Sequence, residues 1–327
     1  MLAAIPAEFR PLVESRLPVG VTPAWYRGGR PAESLGTDAH LVAADAEVAW
    51  IDLRTREKIA QYIAVAHRLR WVSMHSAGVE RFPFDLMTGR DYVMTNGAGL
   101  SAIPIAEFIV MSMLSCEKNL PEVIRSHDRR EWVAVAPGTG ELYGKRVLIL
   151  GYGGIGRATA QRLRPFGVTV TGVRRNPAGE TGVVGVDQWR EELPRTDWLV
   201  VCAASMPASR HLVGRREIGM LKPGARLVNV ARGSLVDQLA LTEALDSGRV
   251  AGAYLDVTDP EPAGPAEPIW TARNVVVTSH LSGRATERYF ERAADLFLAN
   301  LDRYLAGKAL LNTVVQSEWI RASTARG

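Results

Sequence analysis

The stretch LILGYGGIGRA, residues 148–158, decides the fold. An apolar run ends here, and Gly151, Gly153 and Gly156 then give the spacing G-x-G-x-x-G in front of a helical pattern. The first glycine allows a tight turn, the second lets the backbone approach a pyrophosphate, and the third lets strand and helix pack closely. A tight turn without a ligand is the alternative. We favour a dinucleotide site, because the glycines stand in the strand–helix context that the pattern requires.

From residue 145 onward, short runs of Val, Ile and Leu alternate with helical patterns. The runs lack polar alternation, as expected of parallel strands that are covered on both faces. A doubly wound parallel sheet is therefore predicted. The predicted strands are 146–150, 168–173, 182–186, 198–203, 226–231, 250–257 and 274–280.

The first part of the chain has a weaker α/β pattern, with strands predicted at 46–52, 68–75 and 91–96 and a helix at 56–67. A long amphipathic helix is predicted at 286–307, and it can carry the chain back to this first unit. We therefore expect a substrate domain over 1–98, completed by 286–327, and a dinucleotide-binding domain over 99–285. The smaller domain is expected to be discontinuous and flavodoxin-like.

The charge, the apolar runs and the cysteine pattern of the chain exclude several classes of protein. The 327 residues carry 39 basic and 35 acidic side chains of mixed distribution, so a nucleic-acid-binding surface is not expected. No apolar run is long enough to span a bilayer, and the first residues do not resemble a signal peptide. The two cysteines lie in apolar runs, which indicates free thiols, and no Cys/His spacing predicts a metal site. We expect a cytoplasmic protein.

Two arginines follow the second strand of the nucleotide domain, in TGVRRNP at 171–177. About 20 residues after the glycine loop, a carboxylate usually accepts hydrogen bonds from the ribose of NAD. A guanidinium cannot accept, but its donors match a 2′-phosphate. Glu180, beyond a proline and a glycine, is expected to lie too far along the chain to take the acidic role. Arg174 and Arg175 therefore predict NADP, with NAD as the alternative.

Three ionisable residues lie at the carboxyl ends of later strands. Arg232 follows RLVNVA, Glu261 lies in the loop after YLDV, and His280 closes NVVVTSH. Ligands of open α/β sheets bind outside such strand ends. Taken alone, each residue has an ordinary explanation as a surface ion pair, a turn residue or a satisfied histidine, so the prediction depends on their joint occurrence. Among the other histidines, His75, beside Ser76, stays a rival.

The reduction of a 2-keto acid gives each of the three a role. It needs a hydride at the carbonyl carbon and a proton on the carbonyl oxygen. Imidazole gains and loses a proton near neutral pH, so His280 is the candidate proton donor. Glu261 would orient the ring and favour its charged form, and Arg232 would bind the substrate carboxylate and polarise the carbonyl.

Four segments in this order, GYGGIG, NVARGSLVD, LDVTDPEP and TSHLSG, resemble the D-isomer-specific 2-hydroxyacid dehydrogenase family. LRWVSMHSAGVE, residues 69–80, resembles a further family segment, so the resemblance covers nearly the whole chain. It implies an NAD(P)-dependent enzyme whose catalytic set is Arg232, Glu261 and His280. The two arginines after the second strand favour an NADPH-preferring enzyme similar to glyoxylate and hydroxypyruvate reductases. The resemblance also implies a homodimer formed through the nucleotide domain.

The resemblance further implies which residues bind ligands. Backbone N–H groups of Ala77 and Gly78, together with Arg232, would hold the substrate carboxylate. Asp256 would contact the nicotinamide carboxamide. The full set assigned to the cofactor is Gly151, Gly153, Gly154, Ile155, Gly156, Arg174, Arg175, Val230, Ala231, Asp256 and Gly283.

Two departures and several alternatives stay open. Residues 204–206 read Ala-Ser-Met where the family usually has Pro-Leu-Thr, and Arg284, which we expect on the surface, replaces a small residue. A phosphite dehydrogenase branch keeps the same three catalytic residue types, whereas a formate dehydrogenase branch pairs its His with Gln and is disfavoured by Glu261. A non-catalytic nucleotide-sensing module is the alternative from another class.

Overall fold

The computed structural model describes residues 1–27, 44–53, 55–79, 82–177, 179–285 and 288–315. The chain divides into two compact units. Unit 1 is Met1–Leu100 with Thr286–Gly327, and unit 2 is Ser101–Ala285. Residues 286, 287 and 316–327, which were assigned to the first domain from the sequence, lie outside the described residues. The functions predicted for the two domains stay predictions.

Strands and helices follow one another along both units. The strands are β1 (Leu2–Pro6), β2 (Thr22–Tyr26), β3 (Val48–Ile51), β4 (Trp71–Met74), β5 (Val93–Thr95), β6 (Arg146–Leu150), β7 (Thr169–Val173), β8 (Val183–Val184), β9 (Trp198–Val201), β10 (Ala225–Asn229), β11 (Val250–Leu255) and β12 (Val275–Val277). The α-helices are α1 (Arg10–Val13), α2 (Arg56–Val65), α3 (Ala102–Lys118), α4 (Leu120–Asp128), α5 (Gly154–Leu163), α6 (Arg215–Met220), α7 (Gln238–Asp246) and α8 (Tyr289–Leu305). Short 3₁₀ helices lie at Ala7–Phe9, Glu14–Arg16, Phe84–Met87, Arg164–Phe166, Trp189–Arg195, Pro207–Ser209, Gly233–Leu235 and Pro268–Trp270.

Unit 1 contains a five-stranded sheet in the order β2-β1-β3-β4-β5. Every neighbouring pair is parallel. This is the strand order of flavodoxin-like folds. The sequence predicted β3, β4, β5 and α2 but not β1 or β2, so the sheet is larger than expected.

The long helix α8 belongs to unit 1 because its apolar face packs on that sheet. Phe297 stacks on Trp50 and Trp71, with ring centroids 4.5 and 5.3 Å apart and interplanar angles of 17° and 18°. Ala293 and Leu301 are buried in the same cluster of apolar side chains. The predicted return of the chain to the first unit is therefore seen in the structure.

Unit 2 contains a seven-stranded sheet in the order β12-β11-β10-β9-β6-β7-β8. All its strand pairs are parallel. Strands β7 and β8 are added on one side of β6, and β9 to β12 are added on the other side. This is the doubly wound arrangement of Rossmann folds. The predicted fold class is confirmed: a Rossmann unit and a smaller, discontinuous, flavodoxin-like unit.

The central strand β6 shows why these strands lack polar alternation. Val147 and Ile149 lie in one buried apolar cluster, and Leu148 and Leu150 lie in another on the opposite face. Both faces of the strand are therefore covered. Within the described part of the chain, no helix has the length and apolar character needed to cross a membrane.

Candidate active site

The glycine loop joins β6 to α5 with the geometry that its glycines predict. Gly151 has a φ of +98°, and a Cβ atom there would lie 2.5 Å from the backbone of Ala203. A Cβ atom at Gly156 would lie 2.5 Å from the carbonyl oxygen of Gly151. The N–H groups of Gly151 and Tyr152 donate to the carbonyl of Val173, at 3.1 and 2.8 Å. Strand, loop and helix can approach this closely only because both positions are glycine.

The same loop leaves room for a phosphate group. The Cβ position of Gly153 meets no described atom within 4 Å, so the backbone is open to a ligand there. Gly153 is the N-cap of α5, and Gly154 and Ile155 lie in the first turn of that helix. The N–H groups of a first turn have no carbonyl of a preceding turn to bond and suit an anion. The residues therefore fit a dinucleotide pyrophosphate.

The end of β7 corrects one expectation from the sequence. The loop between β7 and β8 folds back, so that Glu180 accepts hydrogen bonds from both terminal nitrogens of Arg157, at 2.5 and 2.6 Å. Oε2 of Glu180 also lies 3.9 Å from Nη1 of Arg174. Glu180 is therefore closer to the strand end than its place in the sequence indicated, whereas the prediction that it does not take the acidic role at the ribose stays a prediction. A short loop brings it back to the strand end, where Arg175 is exposed.

The three candidate catalytic residues follow three neighbouring strands of unit 2. Arg232 follows β10, Glu261 follows β11, and His280 follows β12, and these strands are adjacent and parallel. The carboxyl ends of adjacent parallel strands open on one edge of the sheet. The structure therefore places all three residues at the edge where open α/β sheets bind ligands.

His280 and Glu261 form a direct contact, with Nδ1 of the imidazole 2.7 Å from Oε1 of the carboxylate. The side chains are 43 % and 41 % exposed. A carboxylate only accepts hydrogen bonds, so Nδ1 carries a proton in this contact. Among the described residues, Nε2 has no hydrogen-bond partner. The ring is oriented from one side and can exchange a proton with a ligand on the other.

Arg232 is positioned by Asn229, which the sequence did not single out. The side-chain amide of Asn229 donates to the carbonyl of Arg232 and accepts from the N–H of Ala231, both at 3.0 Å. The guanidinium of Arg232 donates to the carbonyl of Ala231 at 2.8 Å. Val230 and Ala231 are buried, so they can reach a cofactor chiefly through their backbone. The sequence signal that could have identified Asn229 is a polar amide at the end of an otherwise apolar strand.

Asp256 holds the segment that carries His280. Its side chain is buried, and its oxygens accept hydrogen bonds from Oγ1 of Thr278 at 2.6 Å and from the N–H groups of Leu281 and Ser282 at 2.7 and 3.0 Å. The N–H of His280 also donates to the carbonyl of Asp256, at 2.9 Å. Both carboxylate oxygens thus bind the 278–282 segment. A contact of Asp256 with the nicotinamide carboxamide stays a prediction.

The remaining predicted positions lie close to these elements. Gly283 follows the His280 segment, where a Cβ atom would lie 3.6 Å from Ile105 and Ser101. Arg284 is exposed, as expected. Residues 204–206 follow β9, and the N–H of Met206 donates to Oγ of Ser209 at 2.8 Å.

Among the described residues, no His, Cys, Asp and Glu side chains are grouped to hold a metal ion.

Both cysteines are free, as the sequence predicted. Burial raises the pKa of Cys116 and of Cys202 to about 12. Cys202 donates a hydrogen bond from Sγ to the carbonyl of Gly151 at 3.2 Å. Its thiol therefore supports the glycine loop and is not an activated nucleophile.

In unit 1, the loop after β4 contains Ala77 and Gly78. The carbonyl groups of residues 75–78 all accept hydrogen bonds, from the hydroxyl of Tyr289, the N–H of Gly97, the amide of Asn96 and the hydroxyl of Ser76 in that order, at 2.8, 2.9, 2.8 and 2.8 Å. Within the described part of the chain, the N–H groups of residues 76–78 have no acceptor. A loop with bonded carbonyls and unbonded N–H groups is suited to binding an anion.

A second histidine–carboxylate pair lies beside this loop. Nε2 of His75 is 3.2 Å from Oδ1 of Asp52, and Nδ1 of His75 is 3.4 Å from the carbonyl oxygen of Ile51. The Asp52 side chain is only 5 % exposed. The sequence kept His75 as a rival of His280, but it gave no indication that Asp52 is its partner.

Comparisons with known proteins agree with this architecture. Residues 110–282 match the model of the D-isomer specific 2-hydroxyacid dehydrogenase NAD-binding domain. A solved D-isomer specific 2-hydroxyacid dehydrogenase family protein from Aeromonas salmonicida superposes with a TM-score of 0.80 at 26 % identity, covering 96 % of this chain and 98 % of that one. A solved D-isomer specific 2-hydroxyacid dehydrogenase from Xanthobacter autotrophicus, in complex with NADPH and MES, superposes with a TM-score of 0.76 at 27 % identity, covering 97 % and 98 %.

Two similar curated relatives carry different names. A D-3-phosphoglycerate dehydrogenase of Methanocaldococcus jannaschii is 31 % identical over 83 % of this chain and 52 % of its own length. A glyoxylate reductase of Thermococcus gammatolerans is 31 % identical over 78 % of this chain and 79 % of its own length. The chain thus spans about half the length of the D-3-phosphoglycerate dehydrogenases that it matches. It belongs to the D-isomer specific 2-hydroxyacid dehydrogenase family.

Proposed function

We propose that the protein is an NAD(P)-dependent oxidoreductase that interconverts a 2-keto acid and the corresponding D-2-hydroxy acid. The observation that carries this proposal is the His280–Glu261 contact of 2.7 Å. The pair stands at the strand-end edge of the sheet whose glycine loop fits a dinucleotide. A bound reduced nicotinamide supplies the hydride that the carbonyl carbon receives.

The proton is proposed to come from His280. The free Nε2 of its ring donates to the substrate oxygen as that oxygen gains charge, and it recovers the proton in the reverse reaction. Glu261 holds the ring through Nδ1 and stabilises the charged form of the imidazole. Both side chains are partly exposed, so the ring can exchange protons with solvent between turnovers.

Two groups are proposed to bind the substrate carboxylate. Arg232 offers the fork of donors that matches a carboxylate and lies at the end of β10. In unit 1, the N–H groups of Ala77 and Gly78, which have no acceptor among the described residues, offer backbone donors. Charge-assisted hydrogen bonds of this kind fix the orientation of the keto group and polarise it.

NADPH is the proposed preferred cofactor. Arg157, Arg174 and Arg175 lie around the end of β7, where the adenosine ribose of a dinucleotide binds in Rossmann folds. The similar Xanthobacter dehydrogenase was solved with NADPH. Glu180 at the same place favours the alternative, NAD, because a carboxylate can accept hydrogen bonds from ribose hydroxyls.

The proposed substrate class is a small 2-keto acid of the glyoxylate and hydroxypyruvate type. The Thermococcus glyoxylate reductase supports it, since the match covers a similar share of both chains. The D-3-phosphoglycerate dehydrogenases give a second candidate, oxidation of D-3-phosphoglycerate. Phosphite is a third candidate, because the three catalytic residue types would not distinguish it.

A substrate panel with both cofactors tests the proposal. Purified protein is assayed by the absorbance of NADPH or NADH with glyoxylate, hydroxypyruvate and pyruvate, and with D-3-phosphoglycerate or phosphite in the oxidising direction. We expect 2-keto acid reduction that is faster with NADPH. Cofactor binding without turnover of any panel member would favour the nucleotide-sensing module, and a clear preference for NADH would contradict the cofactor assignment.

We also propose that the protein is a homodimer through unit 2. Leu120, Val123 and Ile124 form an exposed apolar face of α4, and Trp132 and Val135 in the following segment are 96 % and 81 % exposed. Exposed apolar side chains in one such stretch are typical of a surface that is covered in an assembly. A second copy of the chain is the proposed occupant, because a dimer axis would bury the same face on both copies.

Light scattering after size-exclusion chromatography tests the dimer. The unchanged chain is expected at twice its 35.7 kDa mass, and Trp132→Ser is expected to shift it towards one copy. Trp270→Ser, which alters another exposed tryptophan of unit 2, is the matched control and should leave the mass unchanged. A single-copy mass for the unchanged chain would contradict the proposal.

A further inference from the structure

Glu180 and Arg157 form a bidentate ion pair at the end of β7. The two guanidinium–carboxylate distances are 2.5 and 2.6 Å, and both oxygens of Glu180 are engaged. Oε2 also faces Arg174 at 3.9 Å. A bidentate Arg–carboxylate pair has the geometry in which the same guanidinium binds a phosphate. The carboxylate therefore occupies donors that a phosphate could use.

The glycine loop itself places this ion pair. Arg157 follows Gly156 directly in α5, and its guanidinium lies over the ring of Tyr152, 5.0 Å from the centroid. The Tyr152 ring is buried against Gly172 of β7, where a Cβ atom would lie 2.3 Å from ring carbons. Arg157 is thus fixed between the pyrophosphate turn and the second strand of the sheet.

The loop that carries Glu180 is also held in place. The N–H of Glu180 donates to the carbonyl of Pro177 at 3.0 Å, and its carbonyl accepts from Val183 at 3.1 Å. The N–H of Gly172 in β7 donates to the carbonyl of Gly182 at 2.8 Å. These bonds return the chain from β7 to β8 with the carboxylate directed at the arginines.

The local charge does not balance. Among the described residues, Arg157 and Arg174 contribute two positive charges at this strand end against the one carboxylate of Glu180. The hydrogen bond from Arg157 is the main reason that the pKa of Glu180 lies below its usual value, and Arg174 and Arg164 add to it, so the carboxylate is ionised at neutral pH. Two guanidiniums thus share one ionised carboxylate.

We propose that Glu180 is a built-in counter-ion that competes with the cofactor 2′-phosphate for Arg157 and Arg174, and that Arg157 is a further residue of the cofactor-specificity site. This rests on the proposed dinucleotide function. The 2′-phosphate of NADPH displaces the carboxylate from the guanidiniums when it binds. NADH lacks that phosphate and leaves the ion pair intact. Glu180 therefore weakens NADPH binding and moderates the preference of the site.

Equilibrium binding tests this without any turnover. Dissociation constants are measured by isothermal titration calorimetry for NADPH, NADH, 2′,5′-ADP and 5′-ADP; the last two isolate the adenosine end. Glu180→Gln removes the charge and keeps the size of the side chain. It is expected to lower the dissociation constants of NADPH and 2′,5′-ADP by about tenfold. The dissociation constants of NADH and 5′-ADP should change by less than about twofold.

Two further variants give the test its controls. Arg157→Gln is expected to raise the dissociation constant of 2′,5′-ADP by about tenfold. In that background Glu180→Gln should have a smaller effect, because the Arg157 guanidinium for which carboxylate and phosphate compete is gone. Glu243→Gln breaks the contact of another exposed glutamate of unit 2, with Arg215, and should change no dissociation constant. Circular dichroism confirms that each variant is folded.

The outcomes separate this inference from the function on which it rests. If Glu180→Gln weakens NADH and does not tighten NADPH, Glu180 is a ribose hydroxyl acceptor and the counter-ion role is wrong. If the ratio of the two cofactor constants is unchanged, the ion pair has no part in specificity and the proposal is again wrong. Failure of the unchanged protein to bind either cofactor would instead contradict the proposed function.

Discussion

Each unit of this protein holds a histidine–carboxylate pair, and the two pairs differ in what they leave free. In unit 2, His280 contacts Glu261 at 2.7 Å, and both side chains are more than two-fifths exposed, at 43 % and 41 %. In unit 1, His75 contacts Asp52 at 3.2 Å, with exposures of 22 % and 5 %. Both pairs follow parallel strands at the carboxyl edge of a sheet.

The difference lies in the second ring nitrogen. Nδ1 of His280 meets a carboxylate, and within the described residues its Nε2 has no partner. Both nitrogens of His75 face acceptors, the Asp52 carboxylate and the carbonyl of Ile51. Among the described residues, therefore, neither nitrogen of His75 is left without a protein acceptor and open to a ligand, whereas Nε2 of His280 is. The comparison therefore favours the proposal that His280 transfers the proton and that His75 has a supporting role.

The largest expected effect comes from His280→Ala. Without the imidazole, the strand-end edge loses its proposed proton donor, and kcat should fall by about 10²- to 10⁴-fold. Because the glycine loop and the β7 end are untouched, the dissociation constant of NADPH should stay the same. Steady-state kinetics and cofactor titration measure both quantities. Retention of most of the rate would show that His280 is not the proton donor.

A smaller loss is expected from Glu261→Gln. The amide oxygen can still accept the Nδ1–H hydrogen bond, so the ring orientation is kept, but the negative charge that stabilises the imidazolium is lost. We expect kcat to fall by roughly tenfold to a hundredfold, with little change in KM. Glu267→Gln, which alters another glutamate of the segment between β11 and β12, is the control and should leave kcat unchanged. A rate equal to that of the unchanged protein would mean that the charge of Glu261 has no part in turnover.

The strands of unit 2 could be predicted from sequence because burial on both faces removes polar residues from them. The run RVLIL of β6 is an example, with apolar side chains in clusters on both sides of the sheet. Strands β1 and β2 gave no such signal. LAAIP is rich in alanine and ends in proline, and TPAWY carries Pro23, which β2 tolerates because it is an edge strand. Their pairing depends on the sheet around them.

The candidate site also contains residues that could be placed from the sequence and contacts that could not. Residues that end strands, such as Arg232 and His280, could be placed from sequence because the topology of a parallel sheet collects strand ends on one edge. Contacts made by loops that fold back could not be placed from the sequence. Glu180 reaches Arg157 across the β7–β8 loop, and Asp52 reaches His75 across two strand ends. Neither distance is encoded in residue spacing.

The smallest catalytic effect, and the sharpest check on the comparison, is expected from His75→Ala. The substitution leaves a carboxylate that is 5 % exposed without its imidazole, so we expect unit 1 to lose about 1–3 kcal/mol of its free energy of unfolding. The 76–78 loop follows His75 directly, so substrate KM should rise a few-fold, while kcat at saturating substrate stays within about threefold. Urea denaturation and steady-state kinetics measure the two effects. His67→Ala, at an exposed histidine of the same unit, should change stability by less than about 0.5 kcal/mol. If His75→Ala instead lowered kcat as far as His280→Ala and left the urea midpoint unchanged, the supporting role of His75 would be wrong, because the loss of turnover could not then come from a loosened fold.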